Sequence, residues 1–156
     1  MRRRSKKKRE IDADALFNSK IVAKFINMLM RQGKKSIAER IVYTVFERLK
    51  ERTNEQDVLK VFSKAVDNVR PRIEVKARRV GGATYQVPID VKHDRSVSIA
   101  LRWMRDFALN RKGKQMIDKL TDEIFAAYNG EGASVKKRND THKMAESNKA
   151  FAHFRW

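Results

Sequence analysis

From Ser19 onward, apolar residues recur at spacings of three and four. Ile21, Val22, Phe25, Ile26 and Leu29 form one stripe of a first helix, and Gly33 supplies its stop. A second helix is predicted from about Ser36, with Ile37, Ile41, Val45, Phe46 and Leu49 along its inner face. Asn54 is placed to cap a third, whose stripe is Val58, Leu59, Phe62, Ala65, Val66 and Val69. Pro71 ends that helix, because the residue before a proline is driven to extended geometry.

The period then changes from helical to two. Ile73, Val75 and Ala77 alternate with Glu74, Lys76 and Arg78; beyond a Gly-Gly, Tyr85, Val87 and Ile89 alternate with Thr84 and Gln86. This reads as a β-hairpin arm with one oily and one cationic face. For both apolar sets to share a face, Val75 must oppose Val87 and Ala77 must oppose Tyr85. That register predicts an odd loop of about three residues with a glycine bulge, rather than a two-residue Gly81-Gly82 turn.

Three helices follow. One runs from Asp94 or Ser96 to Asn110, with Val97, Ala100, Leu101, Met104, Phe107 and Ala108 inward. The next covers roughly Lys114 to Tyr128, uses Ile117, Leu120, Ile124 and Tyr128, and stops at Asn129-Gly130. The last, from about Ser134 to Asn148, has few apolar residues and no full stripe. A helix polar nearly all round needs something besides a core to hold it, and a nucleic acid or a neighbouring protein would serve. The predicted fold is mainly α: a single helical domain of about six helices, with a protruding two-stranded β-hairpin arm between the third and fourth. Residues 1–18 read as a basic tail and lead-in, and 19–156 as the helical domain. Within that domain, 72–89 is the arm and 134–156 the C-terminal helix and tail.

Charge changes the picture from fold to partner. Lys and Arg number 37 against 19 Asp and Glu, a net charge of +18. Such an excess repels itself, and a polyanion relieves it. A membrane surface is the weakest candidate, since no apolar run approaches the ~18 residues of a span. The absence of cysteine excludes disulfides, thiol catalysis and Cys-based zinc sites. No apolar segment follows the basic N-terminus, so it does not read as a secretory signal; a nuclear-localisation reading of Arg2 to Arg9 is the lesser alternative to a nucleic-acid-binding tail. Catalysis has little support. His93, His142 and His153 lie in polar or terminal contexts without metal-ligand spacing, and Gly81-Gly82 lacks the Lys-Ser/Thr of a phosphate loop. No cofactor is implied.

The cations fall in patches, four of five at element ends, in loops or on the arm. The candidate nucleic-acid contacts are Arg2, Arg3, Arg4, Lys6, Lys7, Lys8 and Arg9 in the tail, and Lys34 and Lys35 between the first helices. The arm supplies Arg72, Lys76, Arg78 and Arg79, and the fourth helix begins near Arg95. Arg111, Lys112 and Lys114 follow that helix, and Lys136, Lys137, Arg138, His142 and Lys143 lie on the last. Such groups give affinity and salt dependence; discrimination comes from shape and unpaired bases. Tyr85, Phe151, Phe154 and Trp156 are candidates for stacking on bases, whereas Trp103, beside the fourth stripe, reads as core packing.

The segments RPRIEVKARRVGGATYQVP and VKKRNDTHKMAESNKAFAHFRW closely resemble the family of bacterial small-subunit ribosomal protein seven, as does MLMRQGKKSIAERIVY. The resemblance covers nearly the whole chain. It implies a helical domain with an extended β-arm, direct binding to the 3′ major domain of small-subunit ribosomal RNA, and nucleation of head assembly. It also implies a place in the cytoplasmic ribosome near exit-site tRNA and the outgoing messenger RNA, beside small-subunit protein eleven. Arm residues Arg72, Lys76, Arg78 and Arg79, and Lys136, Lys137, Arg138 and Lys143, match the family's motifs. Leu109 departs from them, standing where an Arg is common. The rivals are an architectural DNA-binding protein with a β-ribbon arm, and a nucleic-acid-processing enzyme. The first wants an apolar wedge at the arm's tip, where this chain has Arg79-Val80-Gly81-Gly82. The second wants a carboxylate cluster and a general base.

Overall fold

A computed structural model describes residues 10–154. The order is α1 (Lys20–Leu29), α2 (Lys35–Thr53), α3 (Val58–Val69), β1 (Ile73–Val80), β2 (Ala83–Asp90), α4 (His93–Asn110), α5 (Met116–Tyr128) and α6 (Ala133–Ser147). A short 3-10 helix, Lys149–Phe154, ends the described chain. The protein is mainly helical, with the antiparallel hairpin β1–β2 between α3 and α4.

The core sits where α5 packs against α2, α3 and α4. Phe25, Phe46 and Phe62 are fully buried, with ring centroids 5.3 Å apart for Phe25–Phe62 and 5.2 Å for Phe46–Phe62. Residues before α1 join this core. Phe17 lies edge-on to Phe46 at 5.1 Å, and the buried Asp14 accepts hydrogen bonds from the Leu16 and Phe17 amides and the Tyr43 hydroxyl. Burial and the Asp14 carboxylate push the Tyr43 hydroxyl up to about 12, so it stays a donor.

Two predicted details of the helices change. The α2 stripe is rotated: Ala38 and Val42 are buried with Val45, Phe46 and Leu49, while Ile41 is half-buried and Ile37 is 44% exposed. Helix α2 has apolar residues on two adjacent rows, and only packing against α1, α3 and α5 selects the inner one. Asn54 does not cap α3; it ends α2 in the left-handed region (φ 53°), which Asn tolerates. Asp57 is the cap, accepting from the Leu59 and Lys60 amides. Arg70 is extended before Pro71, as predicted.

The hairpin register also differs. Val75 opposes Pro88, Ala77 opposes Gln86, and Val80 opposes Ala83, leaving Gly81-Gly82 as a two-residue turn. Both glycines have positive φ, 56° and 92°, as a type I′ turn demands and as a side chain would resist. The odd loop is therefore overturned, and so is the shared oily face. Direct partners lie on one side, so Tyr85, Val87 and Ile89 share a face with Arg78, Lys76 and Glu74. The prediction assumed that both strands bury their apolar sets together. In fact only Val87 is fully buried; Ile73, Val75 and Ile89 are half-buried, which leaves the turn free to set the register.

Candidate nucleic-acid interface

The arm's base, α4 and α1 enclose a groove of about 800 Å³. Glu74, Lys76 and Ile89 enter from the arm, Arg95, Ser98, Ile99 and Arg102 from α4, and Lys24 from α1. Lys24, Lys76, Lys92, Arg95 and Arg102 face only Glu74, Asp90 and Asp94. Inside the groove Arg95 forks onto Glu74, with Nε 3.0 and 3.2 Å and Nη2 2.9 Å from the carboxylate oxygens. Lys76 Nζ lies 3.4 Å from the same group. The hydrogen bonds from Arg95 hold the Glu74 carboxyl below its ordinary value, so it remains an anion that orders the two cations. What results is a concave surface with positioned positive charge and an apolar floor at Ile89 and Ile99, suited to a polyanion's backbone.

The remaining predicted contacts divide into outward cations and cations spent on the protein itself. Lys34, Arg72, Arg79, Lys112, Lys136, Lys137 and Lys143 are exposed; Arg78 is half-buried. Lys35 is exposed and lies 3.4 Å from Glu39. Arg111 donates twice to the fully buried Glu123, at 3.2 and 2.6 Å, and Lys114 reaches Asp122 at 2.9 Å. Hydrogen bonds from Arg52 and Lys114 hold the Asp122 carboxyl below its ordinary value. Arg138 donates to the Asn68 carbonyl at the end of α3 and to Asn139 Oδ1. The Nε2 atom of His142 accepts the Arg72 backbone N–H at 3.0 Å. Burial, with Arg138 and Arg72 nearby, pushes the His142 pKa down, so the ring is neutral and carries its proton on Nδ1.

These bonds explain α6. Its inward row is Ser134, Val135, Arg138, His142 and Ala145, of which only Ser134, Val135 and Ala145 are fully buried. Glu123 secures its first turn, accepting from the Ser134 amide at 3.0 Å and hydroxyl at 2.6 Å. The chain's own hydrogen bonds thus hold the inward side of the polar helix.

The aromatic candidates are brought together by the fold. Tyr85 lies 5.1 Å from both Phe151 and Phe154, ring centroid to centroid. Trp103 packs against the core as predicted. The tail cations Arg2 to Arg9 and Trp156 lie outside the described residues. Lys24 and Arg102, on outer rows of α1 and α4, and Lys92, just before α4, line the groove and were missed because isolated charges there read as solvated; the sequence carries no signal that the arm folds over them. Among the described residues no cluster of His, Asp and Glu fits a metal ion, and no helix is long and apolar enough to cross a membrane.

Residues 1–149 match the family described as ribosomal protein S7p/S5e. The chain is 56% identical over 99% of its length, and 99% of the relative's, to the small ribosomal subunit protein uS7 of Anaeromyxobacter dehalogenans. It is 54% identical, with the same coverage, to that of Rhodospirillum rubrum. Against that of Thermodesulfovibrio yellowstonii it is 55% identical over 96% of this chain and 95% of the relative.

Proposed function

We propose, because this chain belongs to the ribosomal protein S7p/S5e family, that it binds the 3′ major domain of small-subunit ribosomal RNA directly and nucleates assembly of the subunit head. It is a structural component of the small ribosomal subunit and not an enzyme. In the proposed arrangement it works in the cytoplasmic ribosome beside small-subunit protein eleven, close to exit-site tRNA and the outgoing messenger RNA. The observation that carries the reading is the groove between the arm, α1 and α4, which gathers five cations from β1, α1, α4 and the residue before α4, with Arg95 and Lys76 both held by Glu74. RNA helices entering that groove, and touching the outward lysines of α6, would be clamped in one relative orientation. Phosphate contacts supply the affinity and the shape of the RNA junction supplies the selection.

The experiment is a footprint of the full chain on small-subunit ribosomal RNA. Protection confined to the 3′ major domain is expected; protection scattered over other domains would sink the proposal. A companion measurement addresses the DNA-binding rival. The arm's tip is Val80-Gly81-Gly82-Ala83, with no bulky wedge, so duplex DNA is expected to bind much more weakly than the RNA at matched salt.

A further inference from the structure

We infer that Phe151 and Phe154 are positioning residues for RNA binding: they clasp Tyr85 and thereby hold the outer half of the arm in its RNA-competent orientation. The inference rests on the proposed RNA-binding function, but its structural half can be measured without RNA.

A two-stranded hairpin is marginal on its own and needs packing to hold a direction. This arm is tied down at its base by polar bonds. The Arg72 amide donates to His142, the Val91 amide donates to the Arg72 carbonyl at 2.9 Å, and Glu74 takes the Arg95 fork. All of these lie at or before the second pair of the ladder. Tyr85 lies further out, opposite Arg78, only two pairs from the Val80–Ala83 closure. There the two Phe rings meet it at 5.1 Å each, with planes inclined by 46° and 35°, and the 3-10 helix packs along β2. The clasp has a firm mount. The 3-10 helix continues from α6 through Asn148, whose carbonyl accepts the Phe151 amide at 3.0 Å. Helix α6 is itself fastened by Glu123, Arg138 and His142. A continuous bracket therefore runs from core to α6 to Tyr85, and it reaches the arm beside Arg78 and Arg79.

A ring contact half a strand from the base opposes the bending mode that would swing those two arginines. Without it, the arm must be ordered at the moment of binding, at a cost to affinity. No phosphate contact is removed, so the salt dependence should be unaltered.

The test uses the full chain with Phe151→Ala and Phe154→Ala together, Tyr85→Ala, and the ring-preserving pair Phe151→Tyr and Phe154→Tyr. Hydrogen exchange of the free protein is expected to quicken in residues 76–87 for both Ala variants, with α3 unchanged, and to return to the wild-type rate in the Tyr pair. RNA affinity is expected to fall about 3- to 10-fold at constant salt slope. Combining Tyr85→Ala with the Phe pair should add little, since each breaks the same contact. Unchanged arm exchange in the Ala variants would overturn the clasp. A lower affinity without faster arm exchange would also overturn it, by making the tail a direct RNA contact. If the wild-type chain fails to bind the RNA while the exchange result holds, the RNA-binding reading fails and the bracing of the arm stands.

Discussion

Helices α3 and α6 are of similar length and are held by opposite means. In α3, Val58, Val61, Phe62, Ala65, Val66 and Val69 are all buried, and Asp57 caps the first turn. In α6 the buried set is Ser134, Val135 and Ala145, and the rest of the inward row is Arg138 and His142. The first helix is fixed by non-directional burial, which tolerates small shifts; the second is fixed by hydrogen bonds that specify one position. The contrast shows how a chain of net charge +18 can assign some of its cations to its own architecture and leave others for a partner. On α6, residues 138 and 142 point to the protein, while Lys136, Lys137 and Lys143 point to solvent.

The contrast can be broken at its apolar end first. Phe62→Ala is expected to cost about 3–5 kcal/mol, read from urea unfolding, because it opens a cavity between Phe25 and Phe46. A cost below about 1 kcal/mol would mean that α3 is not anchored by that ring.

At the polar end, Glu123→Ala is expected to cost about 3 kcal/mol and to speed amide exchange in the first turn of α6 ahead of the rest of the protein. It strands the buried Ser134 amide and hydroxyl and releases Arg111. Uniform exchange would show that Glu123 stabilises the fold globally rather than the helix end.

Arg138→Ala should cost about 1 kcal/mol, less than Glu123→Ala because Arg138 is half-exposed and solvent replaces part of what is lost. Lys137→Ala, one residue away and exposed, should change stability by less than about 0.5 kcal/mol while lowering the salt slope of RNA binding by up to about 0.7–0.9. Equal stability effects for the two would erase the proposed division of labour on α6.

The smallest effect is a pH dependence. His142 has its pKa lowered by folding, so the unfolded chain takes up a proton that the native ring refuses. Its contribution is fully present above about pH 6.5 and is lost as pH falls through the lowered native value. Urea midpoints at about pH 7.5 and pH 5.5 should therefore converge less in the wild type than in His142→Gln, whose side chain does not titrate. The same loss of stability on acidification in both would assign it to other groups.

How much was legible in the residues follows from the same physics. Helices α1 to α5 were readable because their apolar periods and the Pro71 and Gly130 stops act locally, within one turn of chain. The two-residue turn was also written in Gly81-Gly82, but a rule about shared faces outweighed it, and that rule holds only where a core covers the strand. For the candidate interface, composition disclosed the class of partner and the patches disclosed most of the cations. Which of them are free could not be read, because the acceptors are remote: Arg138 meets Asn68, Arg95 meets Glu74, and the Arg72 amide meets His142. Tyr85, Phe151 and Phe154 read as three separate stacking candidates and form one intramolecular cluster, in which Tyr85 lies more than sixty residues from the two Phe along the chain.

By itself, the sequence determined the helices, the presence of the arm and the excess of positive charge, since each depends on local period or on simple sums. The tertiary structure alone decided which arginines are structural, which lysines line the groove, and what braces the arm. Those outcomes depend on pairings between distant segments, and a hydrogen bond or a ring contact exists only once both partners have been brought to the same place.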